Sequence, residues 1–219
     1  EDSDVNLTGG DYVIETQDKG VGIFASGNTN VNGTLEYKYN GSTTGTGMGI
    51  VYDSAVTNNA DVKLTNATNT TGGMIGVYTT APSGTFTNDG DITGSSTALE
   101  FGIVSDGADI INKGNITLGN ANNLTKANVG IHTRTVNSIT NTGNVSVGDN
   151  SIALYGYDVN HTNGNITAGN NGMGIFSKGG NISLTSGSLV VGTNNAVGVF
   201  ASGANQTITS TNSMTIGDT

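Results

Sequence analysis

His132 and His161 are the only histidines, and the chain has no cysteine, so these two imidazoles are its only strong ligands for a transition metal. Such a site needs a second His or Cys at ligand spacing, and neither histidine has one; both are expected to face solvent. Hydrolysis or elimination on a polysaccharide needs paired carboxylates, or a calcium-assisted base, in one cleft. The close acid pairs are Asp89/Asp91 and Asp106/Asp109, and neither has acids at matching positions in the neighbouring repeats. Gly9-Gly10-Asp11 and Gly72-Gly73 are fragments of the Gly-Gly-x-Gly-x-Asp calcium nonapeptide without its period. Gly45-x-Gly47-x-Gly49 matches part of a dinucleotide fingerprint, but no helix follows it. Asn6-Leu7-Thr8 and Asn115-Ile116-Thr117 fit a glycosylation acceptor, which accident supplies in a chain so rich in Asn and Thr. These residues predict no catalytic group, no metal site and no cofactor, and the chain is read as not an enzyme.

The elements that carry these residues repeat. Val21-Gly22-Ile23-Phe24 returns as Met48-Gly49-Ile50-Val51, Ile75-Gly76-Val77-Tyr78, Phe101-Gly102-Ile103-Val104, Val129-Gly130-Ile131-His132, Ile152-Ala153-Leu154-Tyr155, Met173-Gly174-Ile175-Phe176 and Val197-Gly198-Val199-Phe200. Successive copies stand 21 to 28 residues apart, a spacing characteristic of a stacked solenoid. The residues before and after the Gly are apolar in every copy. Period-2 alternation therefore predicts that both face inward on a first strand and that the Gly faces outward. A second phrase follows: Phe86-Thr87-Asn88-Asp89-Gly90-Asp91-Ile92, Ile110-Ile111-Asn112-Lys113-Gly114-Asn115-Ile116 and Ile139-Thr140-Asn141-Thr142-Gly143-Asn144-Val145. It reads as a second strand, an Asn-x-Gly turn with Gly at positive φ, and a third strand. The third strand's inward column is Leu35, Val62, Ile92, Ile116, Val145, Ile166, Leu189 and Met214. A second column follows two residues later, with a gap at Gly94.

Short strands of this kind bury a face only when stacked on their counterparts. The expected fold is all-β, a right-handed parallel β-helix of about eight coils of about 25 residues, three short strands per coil. At roughly 4.8 Å per coil the rod is about 38 Å long. Residues 1–219 are read as a single solenoid segment, cut from a longer protein, with 1–20 as the first partial coil. Asn58, Asn88, Asn112 and Asn141 occupy equivalent turn positions, and their amides are expected to hydrogen-bond up the stack.

Charge narrows the partners. Seventeen acids against seven bases give a net charge of −10, which argues against nucleic acid and against anionic lipid. There is no run of 18 apolar residues, so no helix is expected to insert into a membrane. The residue after each aliphatic position is the one that stands out. Phe24, Tyr78, Tyr155, Phe176 and Phe200 lie there, with Val51, Val104 and His132 completing the column. An outward stripe of rings is a candidate contact for a partner; the alternatives are rings tucked into the corner or a ladder that only stabilises the sheet. The long corners Asn40–Gly47, Thr65–Gly73 and Gly119–Asn128 are a second candidate.

The recurring Gly-Ile-Phe/Val-Tyr phrase, with Ile-Thr-Asn-Thr-Gly-Asn-Val-Ser-Val-Gly at 139–148, resembles the passenger repeats of large Gram-negative autotransporter adhesins of type V secretion. The resemblance runs from about Val21 to the end. It implies a β-helical segment displayed on the bacterial surface, anchored by an outer-membrane barrel outside this chain, and attachment to a protein or glycan on host or bacterial cells. The alternatives are a carbohydrate-active β-helix, either a polysaccharide lyase or a tailspike-like depolymerase, and a stalk with no ligand.

Overall fold

A computed structural model describes residues 4–8, 12–17, 19–40, 45–66, 73–94 and 99–217. It is a parallel β-solenoid of about seven turns, close to the eight expected. Every pairing between its strands is parallel; the one helical element among the described residues is a single 3₁₀ turn, Leu124–Lys126. The first-strand phrase forms an eight-stranded sheet, one strand per level, from Val21–Ala25 through Glu100–Ser105 to Val197–Ala201. Levels are numbered one to eight below by these strands. Val5–Asn6 and Tyr12–Thr16 stack beneath the long strand Val31–Tyr39.

The second and third faces are separate short strands only from level three upward. At levels one and two they run together as Val31–Tyr39 and Thr57–Asn66. The latter pairs with both Thr85–Asn88 and Ile92–Gly94 and so joins the two faces into one sheet. At level two Asn58-Asn59-Ala60-Asp61 lacks the glycine of the later bends, while at level one Gly33 stands at the equivalent place and the strand still runs through. The third-face column stacks as expected, Val62 on Ile92, Ile116, Val145, Ile166, Leu189 and Met214. At its gap, a Cβ on Gly94 would lie 2.6 Å from the Glu100 carboxylate, so the buried Glu100 occupies that space.

The first strand departs from simple alternation. Its glycines face the core: a Cβ on Gly76, Gly102, Gly130 or Gly174 would meet Ile92, Ile116, Val145 or Leu189 at 2.9, 2.9, 2.7 and 2.4 Å. The aliphatic residue that follows is also in the core, as at Ile50, Val77, Ile103, Ile131, Leu154 and Ile175. Two consecutive residues thus point inward, and the residue before the glycine is turned away from the core cluster, although Ile75 and Val129 at this position are still buried. Neither Phe101 nor Val129 belongs to the core cluster. The backbone ladder records the kink. Phe101 pairs with Val129 and Ile103 with Ile131, while the glycines between them have no paired register. Glycine is needed there because the same Cβ would also sit 2.5 Å from the carbonyl oxygen of the equivalent residue one level up, as at Gly102 beneath Gly130.

The bend glycines also answer to a different cause from the one expected. Gly90, Gly114 and Gly143 do not have positive φ. A Cβ at each would fall 2.0 Å from a carbonyl oxygen of the level below, of Ala60, Gly90 and Gly114 in turn. Close stacking, rather than left-handed backbone, excludes a side chain. Positive φ occurs at this bend at level one, at Gly33 (φ 102°), and again at levels six and seven, at Gly164 (φ 80°) and Gly187 (φ 87°). At levels six and seven the bends are one residue longer, His161-Thr162-Asn163-Gly164 and Leu184-Thr185-Ser186-Gly187.

Candidate partner-binding face

The outer surface of the first sheet carries two columns. One is the expected ring column, and the other is the turned-out column of Val21, Met48, Ile75, Phe101, Val129, Ile152, Met173 and Val197, of which Ile75 and Val129 are buried. The expected glycine margin beside the rings is therefore an apolar column instead. Phe101 joins the ring stack by this route. Its ring lies 6.0 Å from His132; His132 meets Tyr155 edge-on at 4.8 Å; Tyr155 stacks on Phe176 at 4.7 Å, and Phe176 on Phe200 at 5.3 Å. Five rings on successive levels make a continuous aromatic ladder, each pair in a favourable stacked or edge geometry.

The ring column is not uniform. Val51 and Val104 in it are buried. Phe24, 62% exposed, is separated from Tyr78 by Val51, while Phe200, stacked on Phe176, is 46% exposed. Tyr78 is half-buried beneath Arg134, whose guanidinium lies 5.4 Å from the ring centre. Its hydroxyl donates to Asp106, and Arg134 Nη1 donates to Asp106 Oδ1 at 3.1 Å. Lys178 Nζ sits 5.6 Å from the Tyr155 ring centre and donates to the Thr133 carbonyl. Two of the chain's seven basic residues thus border this face. Their signal in the sequence was position: each stands two residues beyond its copy of the ring column.

His132 is half-buried inside the ladder rather than solvent-facing. Burial, reinforced by Lys178 and Arg134 and opposed by Asp106, lowers its pKa to about 4. The folded value lies below the roughly 6.5 of an unfolded chain. Its contribution to stability is therefore complete above about pH 6.5 and is lost progressively as pH falls towards 4. NMR titration of the ring protons should give a midpoint near 4, raised in Lys178→Gln; a midpoint at the ordinary histidine value would contradict the packing described.

His161 is fully buried, again against expectation, and belongs to a second construction. The four asparagines form a ladder along the core-facing side of the bend. Nδ2 of Asn58, Asn88 and Asn112 donates to Oδ1 of the Asn one level up at 2.8, 2.9 and 2.8 Å. Each Nδ2 also donates to the carbonyl two residues on, at 2.7 to 2.9 Å from Asn58 to Asn141, so one side chain closes its own bend and joins the next. Tyr52 Oη donates to Asn58 Oδ1 at 2.8 Å at one end. Asn141 Nδ2 lies 3.1 Å from His161 Nδ1 at the other.

The acid pairs have structural partners. Asp89 pairs with Lys113 at 3.1 Å, Asp91 accepts from the Asn115 backbone at 2.7 Å, and Asp109 accepts from the Ser138 backbone at 2.8 Å. Among the described residues, no group of three or more His, Cys, Asp or Glu side chains is placed to hold a metal ion. No helix among them is long and apolar enough to cross a membrane. Of the long corners, 41–44 and 67–72 lie outside the described residues, as do Gly9-Gly10-Asp11. In the third corner, Asn123 caps the 3₁₀ turn, and Asn128 closes the excursion by donating to the Gly119 carbonyl at 2.9 Å. No protein-family model, curated protein or solved structure matches this chain.

Proposed function

We propose that this chain is a surface-displayed adhesive segment of an autotransporter-type passenger, a rod that presents the outer face of its first sheet to a protein or glycan on another cell. The observation that supports this reading is the outward aromatic ladder from Phe101 to Phe200, bordered by Ile152, Met173 and Val197. Rings that served the fold alone would be expected in the core, where Tyr37, Tyr39, Tyr52 and Phe86 already are. A partly open apolar strip costs solubility, and a contact surface is the usual return. Export through a barrel outside this chain and display at the outer membrane belong to the same proposal.

The test is adhesion by the isolated folded rod. Beads carrying the chain are expected to bind epithelial or bacterial cells or an arrayed glycan. Phe200→Ser, at an exposed position, should weaken that binding about tenfold without unfolding the rod. Retention of full binding by Phe200→Ser would move the site off this face. Failure of the folded rod to bind any of the surfaces would leave the ligand-free stalk.

A further inference from the structure

We propose that the asparagine ladder ends in a proton-sensitive latch: a proton taken up from solvent at His161 Nδ1 severs the ladder there and loosens levels six to eight.

The direction of every hydrogen bond in the ladder is fixed. Each Asn Nδ2 must face the carbonyl two residues on, because a flipped amide would set Oδ1 against that carbonyl. Asn141 therefore presents N–H to His161, and His161 must accept at Nδ1 and carry its own proton on Nε2. Nε2 lies in the longer bend of level six. A Cβ on Gly187 would fall 1.7 Å from the Gly164 carbonyl oxygen and 3.0 Å from His161 Nε2, so carbonyl and imidazole share one small space. The Gly164 carbonyl approaches this side without completing a hydrogen bond.

A protonated ring has donors at both nitrogens and no acceptor. Nδ1–H would then oppose the Asn141 amide protons, and the ladder cannot reverse to relieve it. The charge would also be buried without a counterion. The groups around the ring are Asn141 from the level below, the Gly164 carbonyl of its own bend, and Gly187 and Leu184 from the level above. None of these titrates, and no charged side chain among the described residues faces the ring. Burial holds its pKa below the ordinary histidine value, outweighing the opposing pull of the Gly164 and Asn141 backbone carbonyls. The loss of stability thus begins as pH falls through about 6.5, where the unfolded chain takes up the proton, and continues down to the folded-state pKa.

The position of His161 makes the event local. It stands where the bend changes type, from the tight form of Gly143 to the longer form of Gly164, and where the column turns apolar at Leu184. Levels two to five are tied to each other through Asn side chains; at this column the side-chain link from level five to level six is His161, beside the backbone bond from Thr162 N–H to the Asn141 carbonyl.

Amide hydrogen exchange at pH 7 and pH 5, corrected for intrinsic rates, reads the latch. Protection in 159–217 is expected to fall relative to 57–141, by up to about tenfold for each unit by which the folded-state pKa is depressed. His161→Asn extends the ladder without a titrating group and should abolish the difference, while His132→Phe should retain it. Equal loss in wild type and His161→Asn would overturn the latch. Nitrogen-15 NMR of wild type provides a readout that no variant's folding can obscure. The Nε2–H tautomer is expected at pH 8, and an Nδ1–H tautomer would be fatal to the assignment.

Discussion

Gly114→Ala should destabilise the rod by about 3 kcal/mol or more, among the largest effects of any single methyl group added to it. The added Cβ would fall 2.0 Å from the Gly90 carbonyl oxygen, 2.6 Å from its carbon and 3.1 Å from Asn88 Nδ2. Two of these three atoms are backbone, fixed by the levels above and below, so no rotamer change relieves the clash. Relief requires levels three and four to separate locally, which would lengthen the Asn88–Asn112 hydrogen bond beside them. The comparison is Gly198→Ala at level eight. There the Cβ meets side chains alone, Ile216 at 2.9 Å and Leu189 at 3.8 Å, and no backbone carbonyl. Denaturant unfolding should show a large loss for Gly114→Ala and a change within about 1 kcal/mol for Gly198→Ala. Equal effects would mean that the glycines answer to local backbone preference rather than to stacking distance.

The same contrast explains which parts of the fold were legible in the sequence. The third face could be read position by position because its strands alternate strictly, and Val145-Ser146-Val147 shows its inward residues as apolar and its outward one as polar. The asparagine column was legible for a related reason: identical residues at identical places in a parallel stack must meet. The first strand misled because its inward glycine has no side chain to mark burial, while the residue before it is apolar and yet faces out. Period-2 reasoning assigned Phe101 to the core and the glycine to the surface, the reverse of what the kink produces. In the expected ring column Phe24 and Phe200 are exposed, whereas Val51 and Val104 are buried. That the rings stack without interruption from Phe101 to Phe200 depended on the kink and was not visible. His161 was missed because the bend lengthens by one residue at its level, so an alignment on Asn-x-Gly slides past it. The signal available was Val159-Asn160-His161 set against Ile139-Thr140-Asn141, where the histidine occupies the asparagine's place.

Asn112→Leu tests what the ladder contributes, and its expected cost is about 3 kcal/mol although the replacement is apolar and has the same number of heavy atoms. The position is fully buried, so the change removes no exposed polar surface. It strips Asn88 Nδ2 of one of its two acceptors, deprives Asn141 Oδ1 of its donor, and leaves the Gly114 carbonyl without the amide that closes its bend. Each group stranded in the core costs about 1 to 3 kcal/mol. The fold itself shows that leucine is acceptable in this column when no neighbour depends on it, since Leu184 stands there directly above His161. The cost should therefore be one of broken pairing rather than of packing, and a double-mutant cycle separates the two. If Asn88→Leu and Asn112→Leu each remove the same hydrogen bond, the double variant will be less destabilised than the sum of the singles, by about 1 kcal/mol or more. Strict additivity would show that the four amides act as independent bend closures. Coupling would show that one chain of hydrogen bonds, from Tyr52 to His161, sets the register of levels two to six, and that a proton at its far end acts on a continuous structure.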